Sequence, residues 1–323
     1  MINSLGAKTT LTFELGVTAV AVIGLIIFAI GAIPHFDVSR LFDVVPKNGA
    51  SAFLPYGLLG IWAAIPYAIW LFLAVEGLPL ASEETNDPVR DMPKGIISSI
   101  LTLLVTAAIV LVLGSGTGGA HMMGQVDSPL PSALSAVYGN NAWLPKLLSV
   151  IGLAGLIASF NSIMYAYGRM MFALSRAGYL PKFLSITSSR FHSPYVATIV
   201  GAIIGLFTAI FNTGDVLIQV SVFGANISYI MMMLSAIVLR IKEPKLNRPY
   251  KVPGYPVTPF VTLILACIAL VAGLFYMPKV VYVAAAIYIV FVLYFALYSR
   301  HHIVAKAPEE EFALVAAAEA ELD

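Results

Sequence analysis

Long apolar runs separated by short polar loops recur along the whole chain. Runs without a charged residue occupy 15–33, 57–75 (continuing past Glu76 to 82), 95–115, 147–168, 195–211, 216–239, 257–278 and 280–299. A helix needs roughly 20 such residues to cross about 30 Å of hydrocarbon. All but 195–211 are near or above that length, and that run is at the short limit. Membrane-spanning strands would instead alternate in polarity over about 9–11 residues, a pattern absent here. The sequence therefore predicts an all-α integral membrane protein with eight spans, about 13–34, 57–82, 95–115, 145–170, 194–212, 215–240, 257–277 and 280–299. The first run is too long for a signal-peptide core and lacks a small-residue cleavage site, so it reads as a retained helix.

Composition agrees with this pattern. Hydrophobic residues make up 59% of the chain, charged residues 11%, and the mean hydropathy is +0.90, whereas a soluble domain carries about 25% charged residues. The lipid bilayer is therefore the expected surroundings. A net charge of +1 offers no basic face for nucleic acid, and Cys267, the only cysteine, excludes an internal disulfide or a multi-cysteine metal site.

Charge placement sets an expected orientation. With the N-terminus cytoplasmic, fourteen of the Lys and Arg residues fall inside and only Arg40, Lys47, Lys146 and Lys279 fall outside. That is the positive-inside pattern, and it puts both termini, including the tail 300–323, in the cytoplasm. The outer stretch 116–143 has room for a surface helix near 131–138. No low-complexity linker divides the chain, so one domain, 1–323, is expected. The acidic, Ala-rich segment 308–323 reads as a solvated tail.

Glu76 is the one ionisable residue inside a span and away from its ends. A charge at mid-span costs roughly 2.5–3.5 kcal/mol on insertion scales and usually faces a cavity or pathway. It lies in the stretch Ala74-Val75-Glu76-Gly77-Leu78-Pro79. Pro79 has no N–H for the Val75 carbonyl and crowds it, and it turns Leu78 away from helical dihedrals. Gly77 removes the steric penalty on other conformations. A broken helix is predicted, with the freed Val75 carbonyl beside the Glu76 carboxylate. Interrupted helices of this kind bind cations and substrates near mid-membrane in secondary transporters. The structural alternative is a proline kink whose carboxyl bonds a neighbouring helix.

Trp70 lies six residues before Glu76, about 9 Å along a helix, and its ring could face an ammonium; packing is the equal alternative. The fourth span carries Ser159, Asn161, Ser162 and Tyr165. Asn161 and Ser162 are candidates for a substrate contact, although polar residues also join membrane helices to one another. The sixth span, with Ser221, Gly224, Asn226, Ser228 and Tyr229, has the same two readings. Every histidine falls outside the spans and there is no Gly-rich phosphate loop. The expectation is therefore a chain without cofactor or metal, and not an enzyme.

Three segments carry a family resemblance. Glu83-Glu84-Thr85-Asn86-Asp87-Pro88-Val89-Arg90-Asp91-Met92-Pro93-Lys94 resembles the loop after the sixth helix of the amino acid–polyamine–organocation (APC) superfamily. Gly168-Arg169 through Ser175-Arg176-Ala177-Gly178-Tyr179-Leu180-Pro181 resembles the end of its eighth helix. Leu239-Arg240 with Glu243 through Gly254 resembles the loop after its tenth. The resemblance implies a LeuT-like inverted-repeat transporter in which the eight spans are helices five to twelve. It also implies a substrate site at Ala74, Val75, Glu76 and Gly77, with Trp70 at an aromatic gate. The phrase from Ala68 to Pro79 looks most like the ethanolamine permease branch.

The resemblance departs from the family in two ways. Helices one to four have no counterpart here, so the chain alone is expected to be inactive. The lysine midway along the fifth helix of some proton-coupled members is missing, with Ala21 at that place, which leaves Glu76 as the coupling candidate. The expected function is secondary transport of a small organic amine, ethanolamine first, with a proton or sodium ion as coupling ion. An amino-acid permease and a non-transporting assembly or regulatory subunit are the alternatives.

Overall fold

A computed structural model describes residues 7–47, 49–188, 193–211, 213–246, 248–276 and 278–304. Asn247, Arg190, His192 and the acidic tail 308–323 lie outside the described residues. Among the described residues every regular element is helical: α1 (Ala7–Ala32), α2 (Gly57–Trp70), α3 (Pro88–Gly118), α4 (Ala120–Met123), α5 (Pro129–Tyr138), α6 (Trp143–Arg176), α7 (Tyr195–Phe211), α8 (Gly214–Lys242), α9 (Val257–Tyr276) and α10 (Pro278–Leu297). A 3-10 segment, Val75–Glu84, follows α2.

Among the described residues seven stretches are long and apolar enough to cross a membrane, and a further apolar helix, Tyr195–Phe211, has 17 residues. The protein is thus an all-α, multi-pass integral membrane protein. Its surface supports this: Phe207 is 63% exposed, Ile210 67% and Phe275 78%. Apolar exposure on that scale is stable against lipid and not against water. The surface helix expected near 131–138 is α5, starting two residues earlier behind Pro129.

The chain forms two compact units, one of residues 13–160 with 218–281, the other of 1–12, 161–217 and 282–323. The first unit has a small core of Phe28 and Ala32 from α1, Ala133 and Leu134 from α5, and Leu148 from α6. Tyr138 closes the end of this core, its hydroxyl donating to the Gly31 carbonyl at 3.0 Å.

Two of the resembling segments prove to be helix-end devices in this unit. Asp87 is the N-cap of α3, its carboxylate accepting from the Arg90 N–H at 3.2 Å, with Pro88 in the first turn where no donor is required. Arg248 donates to the Glu243 carbonyl at 2.6 Å, to Leu246 at 2.9 Å and to Leu239 at 3.4 Å. Its guanidinium thereby gathers the Leu239 carbonyl in the last turn of α8 and those of Glu243 and Leu246 in the turn that follows.

The third segment organises the second unit. Gly178 takes the left-handed region at φ +88°, and a Cβ there would collide with the His302 carbonyl. The Ser175 hydroxyl donates to the Pro181 carbonyl at 2.7 Å and the Ser299 hydroxyl to the Tyr179 carbonyl at 2.8 Å. The Val304 N–H donates to the Ala177 carbonyl at 3.2 Å. The strand of chain leaving α10 is therefore seated on the turn that ends α6.

Candidate functional site around Glu76

The α-helix of the second span ends at Trp70, well before Pro79. The Phe72 and Leu73 N–H groups bond the Ile69 and Trp70 carbonyls in tight three-residue turns. Ala74 then takes φ +77° and the chain resumes as the 3-10 segment Val75–Glu84. The expected break is present, and its geometry differs from expectation in three respects. The left-handed residue is Ala74 and not Gly77, whose N–H instead bonds the Ala74 carbonyl at 3.0 Å. Because a 3-10 helix pairs each N–H with the carbonyl three residues back, the carbonyl that Pro79 leaves without a donor is that of Glu76, not Val75. The helical path assumed from Trp70 to Glu76 is also interrupted, so their separation is not that of one continuous helix. Trp70 ends α2 with 38% of its surface exposed.

A left-handed residue with a side chain costs roughly 1–2 kcal/mol. Ala74→Gly should therefore raise the thermal stability of the purified protein by an amount on the order of 1 kcal/mol. Detergent-phase melting checks this, and a fall in stability would mean that Ala74 does not hold this conformation.

Glu76 is met by α8. The Tyr229 hydroxyl donates to Glu76 Oε1 at 3.1 Å. Further along, Gln219 Nε2 donates to the Tyr67 hydroxyl at 3.2 Å. Two polar links therefore tie the broken span to α8 on either side of the break. Because the earlier residue of each segment pairs with the earlier, and the later with the later, the two run in the same direction. Both links belong to the first unit.

Glu76 is exposed while carrying this bond, and an ionised carboxylate has further acceptor sites beyond it. The amides of Val75 and Glu76 stand in the first turn of a helical segment, where N–H groups have no partner within that segment. The site thus combines a carboxylate, a carbonyl to which Pro79 offers no donor and the first N–H groups of a helical segment. An acceptor set for an ammonium lies beside a donor set for a carboxylate.

Asn161 is half-buried and Ser162 exposed on α6, and both belong to the second unit. Ala74, Val75, Glu76 and Gly77 share the break itself. Tyr229 was one of the sixth-span residues with two open readings, whereas Gln219 and Tyr67 were not expected at the site. The available signal was the polarity of Gln219 and Tyr229 within an apolar span. Among the described residues no group of His, Cys, Asp and Glu could hold a metal ion.

A carboxylate at the break of a membrane-spanning helix is an arrangement that secondary transporters use for substrates and coupling ions. Residues 1–297 match the amino acid permease family, and the chain belongs to that family. It is 31% identical over 80% of its length to the branched-chain amino acid permease BcaP of Bacillus subtilis, covering 54% of that protein. It is 29% identical over 86% of its length to the methylthioribose transporter of the same organism, covering 59% of it. The L-asparagine permease of Salmonella typhimurium is 27% identical over 90% of the chain, which covers 61% of that relative. The chain thus spans little more than half the length of these relatives. Family membership and the long apolar helices together place the chain in the cell membrane as a multi-pass protein.

Proposed function

We propose that the protein takes part in secondary transport of a small amino acid. Its helices would stand in the places of helices five to twelve of a LeuT-like permease and act as one permease domain. The observation that carries this reading is the Tyr229–Glu76 hydrogen bond at the mid-span break. A zwitterion needs both halves of the set assembled there: Glu76 and its carbonyl for the ammonium, and the Val75 and Glu76 amides for the carboxylate. Ethanolamine would use only the first half. The relatives named above, two amino-acid permeases and a methylthioribose transporter, also favour an amino acid over ethanolamine. Trp70 would shield the ammonium by a cation–π contact. A proton or sodium ion would couple transport, with Glu76 the group that carries a coupling proton.

The test is uptake by cells carrying the gene at its own locus, compared with a deletion strain. Radiolabelled leucine or asparagine should accumulate only with the gene, and excess unlabelled neutral amino acid should compete where ethanolamine does not. Competition by ethanolamine alone would restore the organic-amine reading. Identical uptake of all these solutes with and without the gene would favour a non-transporting subunit.

The orientation is proposed from the fourteen-to-four charge count, and the parallel course of α2 and α8 agrees with the alternation it requires. Cysteines introduced at Ser128 and Thr213 should react with an impermeant thiol reagent in intact cells. One at Thr187 should react only after the membrane is opened. Labelling of Thr187→Cys from outside would reverse the assignment.

A further inference from the structure

Gln219 and Tyr229 of α8 both reach the broken span, at Tyr67 and at Glu76. At about 100° per residue, Gln219, Val222, Asn226 and Tyr229 share one arc of about 80° on this helix. That arc is closed off: Val222 is 2% exposed and Asn226 3%, whereas Ser228, on the far side, is exposed. Asn226 precedes Tyr229 by three residues, about 4.5 Å along the axis. Because α8 and the broken span run in the same direction, Asn226 stands beside the stretch between Trp70 and Glu76, where the α-helix has ended. All these residues belong to the first unit, so the chain itself buries Asn226.

The buried amide is left without a partner. A carboxamide accepts two hydrogen bonds and donates two, and the Asn226 side chain makes none with another described residue. Leaving such a group unpaired costs stability, and costs of that kind gather where a ligand is to be met. Neither of its amide atoms is sealed from the surface, so the little of Asn226 that stays accessible includes its polar end. A trapped water would need two to four polar partners, and the polar neighbours on this face, Gln219 and Tyr229, are already bonded to the broken span. With the ammonium and carboxylate of an amino acid held at Val75 and Glu76, its side chain is the part left to lie along the break. An apolar side chain would leave the Asn226 amide unpaired in the complex. A side-chain amide pairs with it head to tail, one N–H donated each way. Sites built to bond a polar group reject the analogue that lacks it much more strongly than apolar pockets reject a change of size.

Resting on the transport reading above, we propose that Asn226 is a specificity-determining residue of the Glu76 site, selecting neutral amino acids with a side-chain amide over apolar ones of the same size. Asparagine and leucine are close in shape and differ in this group, so they are the probes. In cells carrying the gene at its own locus, asparagine should inhibit the gene-dependent uptake of labelled asparagine at about tenfold lower concentration than leucine does, the factor expected for one buried amide left unpaired. Asn226→Leu should erase or invert that ratio through KM, at unchanged membrane abundance. It should also raise the melting temperature of the purified chain by a few degrees, because the unpaired amide is gone. Ser228→Ala should change neither. Equal inhibition by the two amino acids in the unaltered strain would overturn the proposal, as would a ratio that survives Asn226→Leu. A lowered melting temperature in that variant would also overturn it, by making the amide a structural brace. Gene-dependent uptake of neither amino acid would instead remove the transport reading itself, and shows already in the unaltered strain.

Discussion

Glu76→Gln is expected to reach the membrane in normal amounts and to lose uptake by about tenfold or more. Glutamine keeps the size of the side chain and can still accept from the Tyr229 hydroxyl, so the local fold should persist. What disappears is the charge. A hydrogen bond to a charged group is worth roughly 1.5–3 kcal/mol, and each 1.4 kcal/mol is about a factor of ten. The loss should be largest for substrates with a free ammonium. Tyr229→Phe should have a smaller effect, because it leaves the carboxylate in place and removes only its positioning. Trp70→Leu should weaken apparent affinity modestly. Membrane abundance by immunoblot and initial rates over roughly pH 5 to 8 make the measurement. If the glutamine variant transports like the unaltered protein across that range, Glu76 only braces the helix break.

Gly178→Ala should be the most destabilising of the small substitutions in the second unit. The left-handed backbone costs alanine roughly 1–2 kcal/mol. The new methyl must also displace the segment after α10, since the His302 carbonyl carbon would lie 2.7 Å from it and the Ile303 Cα 2.9 Å. The Ser299–Tyr179 and Val304–Ala177 bonds would go with that segment, each worth about 0.5–1.5 kcal/mol. A total of about 3 kcal/mol follows, read as a lowered melting temperature in detergent and a protease-sensitive site near residue 300. Gly205→Ala serves as the control. It lies within α7 with nothing within 4 Å of its would-be Cβ, and should be neutral or stabilising by roughly 0.5–1 kcal/mol. Equal melting of the two variants would mean that the segment after α10 is not seated on this turn.

The glutamate and the glycine differ in how they could be found. Glu76 stands out in the sequence because a lone carboxylate in an apolar run is costly wherever the helix faces. The break beside it was also legible, from proline's missing donor, although its residue-level geometry was not. Proline excludes one hydrogen bond without deciding which neighbouring residue absorbs the turn, and here Ala74 does so and not Gly77. Gly178 carries no comparable sign. Its necessity comes from His302, more than a hundred positions away.

The same division holds for the whole protein. Which segments cross the membrane, their helical form, the charge asymmetry of the loops and the presence of a mid-span carboxylate are set by the sequence alone. Each depends on local properties: the length of an apolar run, the backbone's need to bond itself in hydrocarbon, and the cost of burying a charge. The family was legible too, in helix-end motifs such as Asp87-Pro88 and the turn at Gly178. The tertiary structure alone decided that Tyr229 meets Glu76, that Gln219 meets Tyr67, and that Asn226 is buried on the same face of α8. These contacts depend on how each helix is rotated about its axis. In water an amphipathic stripe would fix that rotation, but helices apolar on nearly every face, packing where lipid is as apolar as a neighbouring side chain, write no such stripe into the sequence.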